Sequence, residues 1–534
     1  MKRLILFGAL CLPAFLAGCI HNDLPYPVVT INIEAIEAEG LDGAAQINAA
    51  QQTVILPLLE TTDIRNVHIT SVTLTEGGQS SVAFPGTFDL RTPLYTTLSI
   101  YQEYGWSIAA TQTIERYFRV KKQVGAAEID PANRTATAYV SRSTDLQNVP
   151  VKELKLGPAG ITTYSPEIEG TTSFETVRLG VDVTAHGRTE QWRLRVVPTD
   201  VTVRITQCDA WARIAWLAAD GLSDTEMGFV YRRKGDTEWL AVPDVEIEGG
   251  TFRAKLAGLD PETTYELKAF SDTDLSDMRE FTTEAALQLP NAGFETWSTD
   301  RSDILYPYAA DAPLAEQFWG SGNPGSMTLK KLVTTNEKDP RPGSEGQYCA
   351  QLKSQYVAFL GVGKFAAGNL FSGHYAETKG TDGIVNFSQP FTSRPVALHG
   401  WVKYNRGKMD YIKGSPMGMS FAKGDPDEGI IYMALGRWTA AEYGGTEQSP
   451  VQVYTRDTKT FFDPEGKDVI AYGEVVFTTS VDEWREFTVK LDYTATDVVP
   501  THLMIVCSAS RYGDYFTGSS DSVMWVDDFE LVYE

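Results

Sequence analysis

Apolar residues along this chain come in short runs, rich in β-branched and aromatic side chains and bounded by Gly, Pro, Asn or Asp. That punctuation, with apolar and polar positions alternating inside the runs, predicts β-strands almost throughout. In Val54-Ile55-Leu56 and Val67-His68-Ile69-Thr70 the alternation is that of strands in a small sandwich. Residues 43–74 and 125–156 align without a gap at an offset of 82, which matches Gly43 with Gly125, Asp63 with Asp145, Asn66 with Asn148 and Leu74 with Leu156. Two copies of one module follow, each expected to close on a similar strand, Arg116–Val120 in the first and Trp192–Val196 in the second. The period is longer than that of solenoid units and suits whole immunoglobulin-like domains in series. Toward the C-terminus the runs lengthen, in 396–404, 430–435, 470–478, 487–493, 503–508 and 523–533. Alternation along them predicts two facing antiparallel sheets in a jelly-roll sandwich.

Composition sharpens this picture. A chain of 534 residues is too long for one core, so several domains are expected. Its 46 Lys and Arg stand against 70 Asp and Glu, a formal net charge of -24, with no clustered basic stripe, which excludes nucleic acid as a partner. Lys2 and Arg3, an apolar run from Leu4 to Leu16 and then Ala17-Gly18-Cys19 resemble a bacterial lipoprotein signal. The run is too short to span a bilayer, and a thiol behind small residues suits lipid attachment at Cys19 after cleavage of residues 1–18. A membrane partner is thus expected through a lipid anchor, on the outer membrane, with its face left open because Ile20-His21-Asn22-Asp23 carries no dense acidic run. Of the remaining cysteines, Cys208, Cys349 and Cys507 read as core thiols, with a Cys349–Cys507 disulfide as the alternative.

Residues 201–284 resemble a fibronectin type III domain, on Ile214, Trp216, Tyr231 and the string Leu259-Asp260-Pro261-Glu262-Thr263-Thr264-Tyr265. In that pattern the tyrosine hydroxyl bonds back to nearby backbone at a sandwich corner. The resulting division is a signal peptide at 1–18, a linker at 19–28, immunoglobulin-like repeats at 29–120 and 121–199, a fibronectin III-like domain at 200–284 and the jelly roll at 290–534. The fold class is all-β. The first three domains read as spacers, since fold alone does not imply function and no chemistry is found in the two repeats, where His68 and His186 are isolated.

Residues 291–534 resemble the putative carbohydrate metabolism domain family of bacterial lipoproteins. The resemblance rests on Asn291-Ala292-Gly293-Phe294-Glu295-Thr296-Trp297, the segment Gly361 to Phe371, Pro390-Phe391-Thr392-Ser393-Arg394-Pro395, Ser510-Arg511-Tyr512-Gly513-Asp514-Tyr515-Phe516 and Val526-Asp527-Asp528-Phe529-Glu530-Leu531. It implies glycan handling, by binding or hydrolysis. The first and last strings also resemble jelly-roll carbohydrate-binding modules, which open with Asn-x-x-Phe-Glu and close with Asp-Asp-x-x-Leu on terminal strands that meet. That resemblance implies a structural calcium held by Glu295, Asp528 and the loop carrying Ser344, because calcium takes six to eight oxygens. No organic cofactor is implied.

Sugar recognition calls for flat apolar faces and planar polar groups side by side. Two glycine-rich segments have this mixture: one carries Arg511, Tyr512, Asp514 and Tyr515, the other Lys364 and Asn369. Arg394 lies in a family string, Trp319 stands in an apparent loop, and Trp401 shares a strand face with His399 and Lys403. These nine are the candidate carbohydrate-binding residues, while Trp484 and Trp525 read as core. Glycosidases need two carboxylates across the scissile bond, and Asp514 and Glu474 are the leading catalytic candidates, with Asp463 and Asp410 behind them. No Gly-x-Ser-x-Gly, His-Glu-x-x-His or phosphate-loop string occurs. The functional expectation is an envelope lipoprotein that binds a polysaccharide or oligosaccharide through its C-terminal domain. The alternatives are a glycoside hydrolase using the same domain, or a structural or adhesive protein with an envelope protein as partner.

Overall fold

A computed structural model describes residues 31–49, 51–168, 170–175, 179–359, 362–416 and 419–534. The leader and Cys19 lie outside the described residues. The described chain is an all-β series of sandwiches, and no described helix is long and apolar enough to cross a membrane. Contacts divide it into two compact units, one holding most of residues 31–110 and the other holding residues 111–534 with two short stretches of the first module.

The internal repeat is real at the level of strands. Gln46–Asn48, Thr53–Leu58 and Val67–Leu74 in the first copy start 82 residues before Glu128–Asp130, Thr135–Ser141 and Val149–Lys155 in the second. Both copies pair a five-stranded sheet with a three-stranded one in the same order. The segment expected to close the first copy does not do so. Tyr117–Val120 pairs antiparallel with Val149–Lys155 and opens the second copy, in the place that Ile33–Ala38 takes in the first. Repeated modules carry look-alike strands at both ends, so residue identity alone left open which end this one served.

In residues 200–284 two sheets enclose a core that includes Leu217, Phe229, Phe252 and Leu267. Tyr265 packs against Phe281, and its hydroxyl accepts the Asp260 N–H at 2.9 Å, the corner bond that the sequence string implied. Between this domain and the second module runs a cleft of about 550 Å3. Its charged rim is occupied by cross-domain ion pairs, Arg119 with Glu248 at 2.5 Å and Lys152 with Asp224 at 2.5 Å.

The C-terminal strands used below are β1 (Thr334–Glu337), β2 (Cys349–Lys353), β3 (Asn369–Lys379), β4 (Asp382–Phe387), β5 (Ala397–Asn405), β6 (Gly429–Gly436), β7 (Val451–Tyr454), β8 (Val469–Phe477), β9 (Val481–Lys490), β10 (Asp492–Tyr493), β11 (His502–Ser508) and β12 (Val523–Val532). One sheet runs β1-β2-β12-β5-β9 and the larger runs β7-β4-β3-β11-β6-β8-β10. Alternation explains β5: Leu398, Val402 and Tyr404 point into the inter-sheet core, while His399, Trp401 and Lys403 do not. Strand β11 shows no alternation, because both of its faces are covered. Leu503, Ile505 and Cys507 enter the inter-sheet core, and Met504 and Val506 enter a second apolar cluster with Phe387, Trp438 and Val453. Cys349 on β2 and Cys507 on β11 are buried free thiols, and Cys208 is a half-buried one.

The C-terminal domain is bolted to the domain before it. Arg394 is buried, and its guanidinium pairs with Glu284 at 2.8 Å and donates to the carbonyls of Ala210 and Thr496. Beside it Trp211 lies 4.4 Å from Tyr493 and donates to Thr496 O at 3.0 Å. Arg394 is therefore an anchor between domains and does not reach a carbohydrate site.

Candidate functional site

The second apolar cluster positions the site. It covers the face of the larger sheet that turns away from the inter-sheet core, and Tyr432, Phe461, Phe462 and Tyr472 pack against it only half-buried. Tyr432 on β6 lies opposite Glu474 on β8 and opposite Val506 on β11, so the strand register itself brings an aromatic ring beside a carboxylate. The rings of Tyr432 and Phe462 are parallel within 4° at 5.7 Å, Tyr472 is 6.0 Å from Tyr432, and Phe461 meets Tyr515 edge-on at 5.0 Å. The result is an aromatic wall with open edges.

Polar groups gather along that wall. The Tyr472 hydroxyl donates to Glu474 at 2.7 Å, and Arg511 reaches both Glu474 at 3.3 Å and Glu428 at 3.4 Å. Asp514 sits on the short helical turn Gly513–Tyr515, midway along the β11–β12 connection. It is exposed, and desolvation by neighbouring protein pushes its carboxyl up to about 6. Desolvation also raises the Tyr432 hydroxyl well above its ordinary value, with the charges of Asp514 and Glu474 adding to the shift. Both carboxylates thus face the same tyrosine.

The structure brings together four of the sequence candidates here: Asp514, Glu474, Arg511 and Tyr515. It places others elsewhere. Tyr512 is largely buried against Phe421, 4.6 Å away, and its hydroxyl contacts Glu428 at 3.4 Å. Asn369 accepts the Gly322 N–H at 2.7 Å and so fixes a loop. Lys364 is ion-paired with Asp382 beside Phe516.

Trp319 is 1% exposed; it packs on Phe294 and Phe318, and its Nε1 donates to Pro290 O at 2.8 Å. The glycines around it looked like loop composition, but Gly320 is there for close strand pairing. A Cβ at that position would lie 2.5 Å from Gly373 O. Trp401 is partly exposed on the opposite sheet, with the Arg341 guanidinium 5.0 Å over its ring. Trp484 and Trp525 are not core residues: they flank Lys403 at 5.1 Å each on that same outer face. Of the weaker candidates, Asp410 accepts the Ser520 N–H at 3.0 Å, and Asp463 accepts the Glu465 N–H at 3.0 Å.

The calcium ligand set does not fit a dication as placed. Both Glu295 oxygens accept backbone N–H groups, of Gln347 and Tyr348, at 2.8 Å, and Ser344 accepts the Gly346 N–H. Asp528 is ion-paired with Arg341 at 2.6 Å, while Asp527 accepts the Arg341 N–H at 2.8 Å. A guanidinium thus sits where a shared cation would have to go. Among the described residues no group of three or more His, Cys, Asp and Glu side chains could hold a metal ion.

Sequence reasoning missed Tyr432, Phe461, Phe462 and Glu428. One available signal was that β6 and β8 each carry aromatic or charged residues in phase with one another and out of phase with Ile431, Met433 and Leu435.

Comparison with known proteins places residues 293–532 in a match to the family described as putative carbohydrate metabolism domain. Among solved structures, the chain is similar to a putative glycoside hydrolase from Bacteroides thetaiotaomicron, at 17% identity over 78% of this chain and 96% of that one, with a TM-score of 0.31. It is also similar to a putative glycoside hydrolase from Bacteroides vulgatus, at 22% identity over 45% of this chain and 97% of that one, TM-score 0.32. A third likeness is to SGBP-B from a complex xyloglucan utilization locus in Bacteroides uniformis, at 10% identity over 85% and 98% of the two chains, TM-score 0.17. No curated protein matches the chain.

Proposed function

We propose, from a C-terminal segment that matches the putative carbohydrate metabolism domain family, that the aromatic wall beside Asp514 binds a saccharide. One observation carries this reading: the half-buried wall of Tyr432, Phe462 and Tyr472 stands beside Asp514, Glu474 and Arg511 on a single sheet face. Aromatic edges and faces accept the C–H surfaces of sugar rings, and carboxylates and a guanidinium pair with hydroxyls in fixed directions. The rest of the chain acts as a spacer that carries this domain away from a membrane to which Cys19 is acylated, in the outer envelope.

A glycan array probed with the full chain tests the binding reading. Hits that weaken at least tenfold in both Phe462→Ala and Tyr472→Ala support it; absence of hits, or hits untouched by both changes, refutes it. Incorporation of a labelled fatty acid that is lost in Cys19→Ala tests the anchor.

Hydrolysis is the second reading, favoured by the Asp514 carboxyl at about 6. An acid still protonated in mildly acidic solution can donate to a leaving oxygen, and Glu474, oriented by Tyr472 and Arg511, is placed to act as its partner. Reducing-sugar release abolished by Asp514→Asn would promote hydrolysis over binding alone.

A further inference from the structure

We infer that the saccharide taken at this wall carries a negative charge, a carboxylate or sulfate on a sugar ring, and that Lys364 and Lys413 form the subsite for it. The inference rests on the saccharide reading above and adds the class of ligand.

The whole chain is strongly acidic, at -24, yet two cations meet beside the turn that carries Asp514. The ammonium groups of Lys364 and Lys413 lie 4.2 and 4.7 Å from the centroid of the same ring, Phe516. Lys364 comes from the two-stranded hairpin of Gln355–Phe359 and Val362–Ala366, and Lys413 from the segment after β5. Two separate parts of the chain therefore deliver positive charge to one place. Asp382 is the carboxylate set against them, paired with Lys364. Lys413 is exposed; partial burial lowers its ammonium from the usual value, and the nearby charges of Lys364 and Arg456 lower it further.

The subsite and the aromatic wall share a loop. Phe516 directly follows the Gly513–Tyr515 turn that carries Asp514, and its left-handed backbone, φ 54°, turns the chain there. Tyr515 touches Phe461 of the aromatic wall, and the Lys413 N–H donates to Thr517 Oγ1 at 3.1 Å. Lys364 and Lys413 repel one another beside the Phe516 ring, a repulsion that Asp382, paired with Lys364, relieves only in part. A neutral sugar would leave that repulsion in place. An anionic sugar removes it, and the gain is confined to ligands that also fit the wall.

The test uses the full chain and matched ligand pairs in calorimetric titration: oligogalacturonate against its methyl ester, and a sulfated galactan oligosaccharide against its desulfated, neutral form. At least one charged member should bind tenfold or more tightly than its uncharged twin, with affinity falling as salt rises. The pair that shows the effect tells carboxylate from sulfate. Lys413→Gln, at an exposed position, should erase the preference, and Lys413→Arg should keep it; melting curves confirm that both variants are folded. Equal binding of both twins, or a preference that survives Lys413→Gln, overturns the inference and leaves the saccharide reading intact. If no saccharide of any charge binds, both fall together.

Discussion

Asp514 and Trp319 show how much one side chain's surroundings decide. The Asp514 carboxyl stands at about 6 in the fold against about 4 in an unfolded chain. A raised acid favours the folded state while protonated and loses that contribution as pH climbs through the folded value. Relative to Asp514→Asn, the natural protein should therefore lose melting temperature between about pH 4 and pH 6 and stay lower above it. Paired melting scans from pH 4 to 8 check the sign; a gap that is widest at pH 4 would contradict it. Trp319 is ordinary core by contrast, and Trp319→Ala should cost about 3–5 kcal/mol in denaturant unfolding. Sequence separated these two residues poorly. A glycine adjoins each: a Cβ at Gly513 would lie 2.5 Å from the Ala367 Cβ, and one at Gly320 would lie 2.5 Å from Gly373 O, so both mark close approach and neither marks a binding loop.

At the level of elements, legibility followed burial. Strand β5 has one face in the core and one outside, so its alternation could be read residue by residue. Strand β11 is covered on both faces, its run of apolar residues carries no phase, and the cluster on its outer side stayed hidden until the sheet order was known. The site inherits that blind spot, since Tyr432 faces Glu474 only through β6–β8 register. The terminal strands gave the opposite lesson. Their acidic strings resemble calcium-binding ends, but Arg341 closes them with charge-assisted bonds to Asp527 and Asp528. Chelator should leave the melting temperature unchanged, whereas Arg341→Ala should remove about 2 kcal/mol. A chelator-induced drop would restore the metal.

Across the molecule, the bolt at Arg394 makes residues 200–534 one mechanical piece. Its guanidinium and Glu284 are both shielded from solvent, and burial pushes the Glu284 carboxyl up even as Arg394 opposes the shift. Removing the arginine strands that carboxylate, so Arg394→Ala should cost about 3–5 kcal/mol. In calorimetry the variant should show the C-terminal domain melting apart from its neighbour, where the natural chain melts them together. The sequence pattern announced both sandwiches, but a joint built from Arg394, Trp211, Tyr493 and the Thr496 carbonyl draws on four distant stretches and has no local signature.

That joint also bears on aim. A bracket of buried charge and packed rings makes the aromatic wall turn with the fibronectin-like neighbour instead of swivelling on it. Under the proposed function, the pull of a long polymer on a bound ring would pass through Arg394 and Trp211 into the next sandwich.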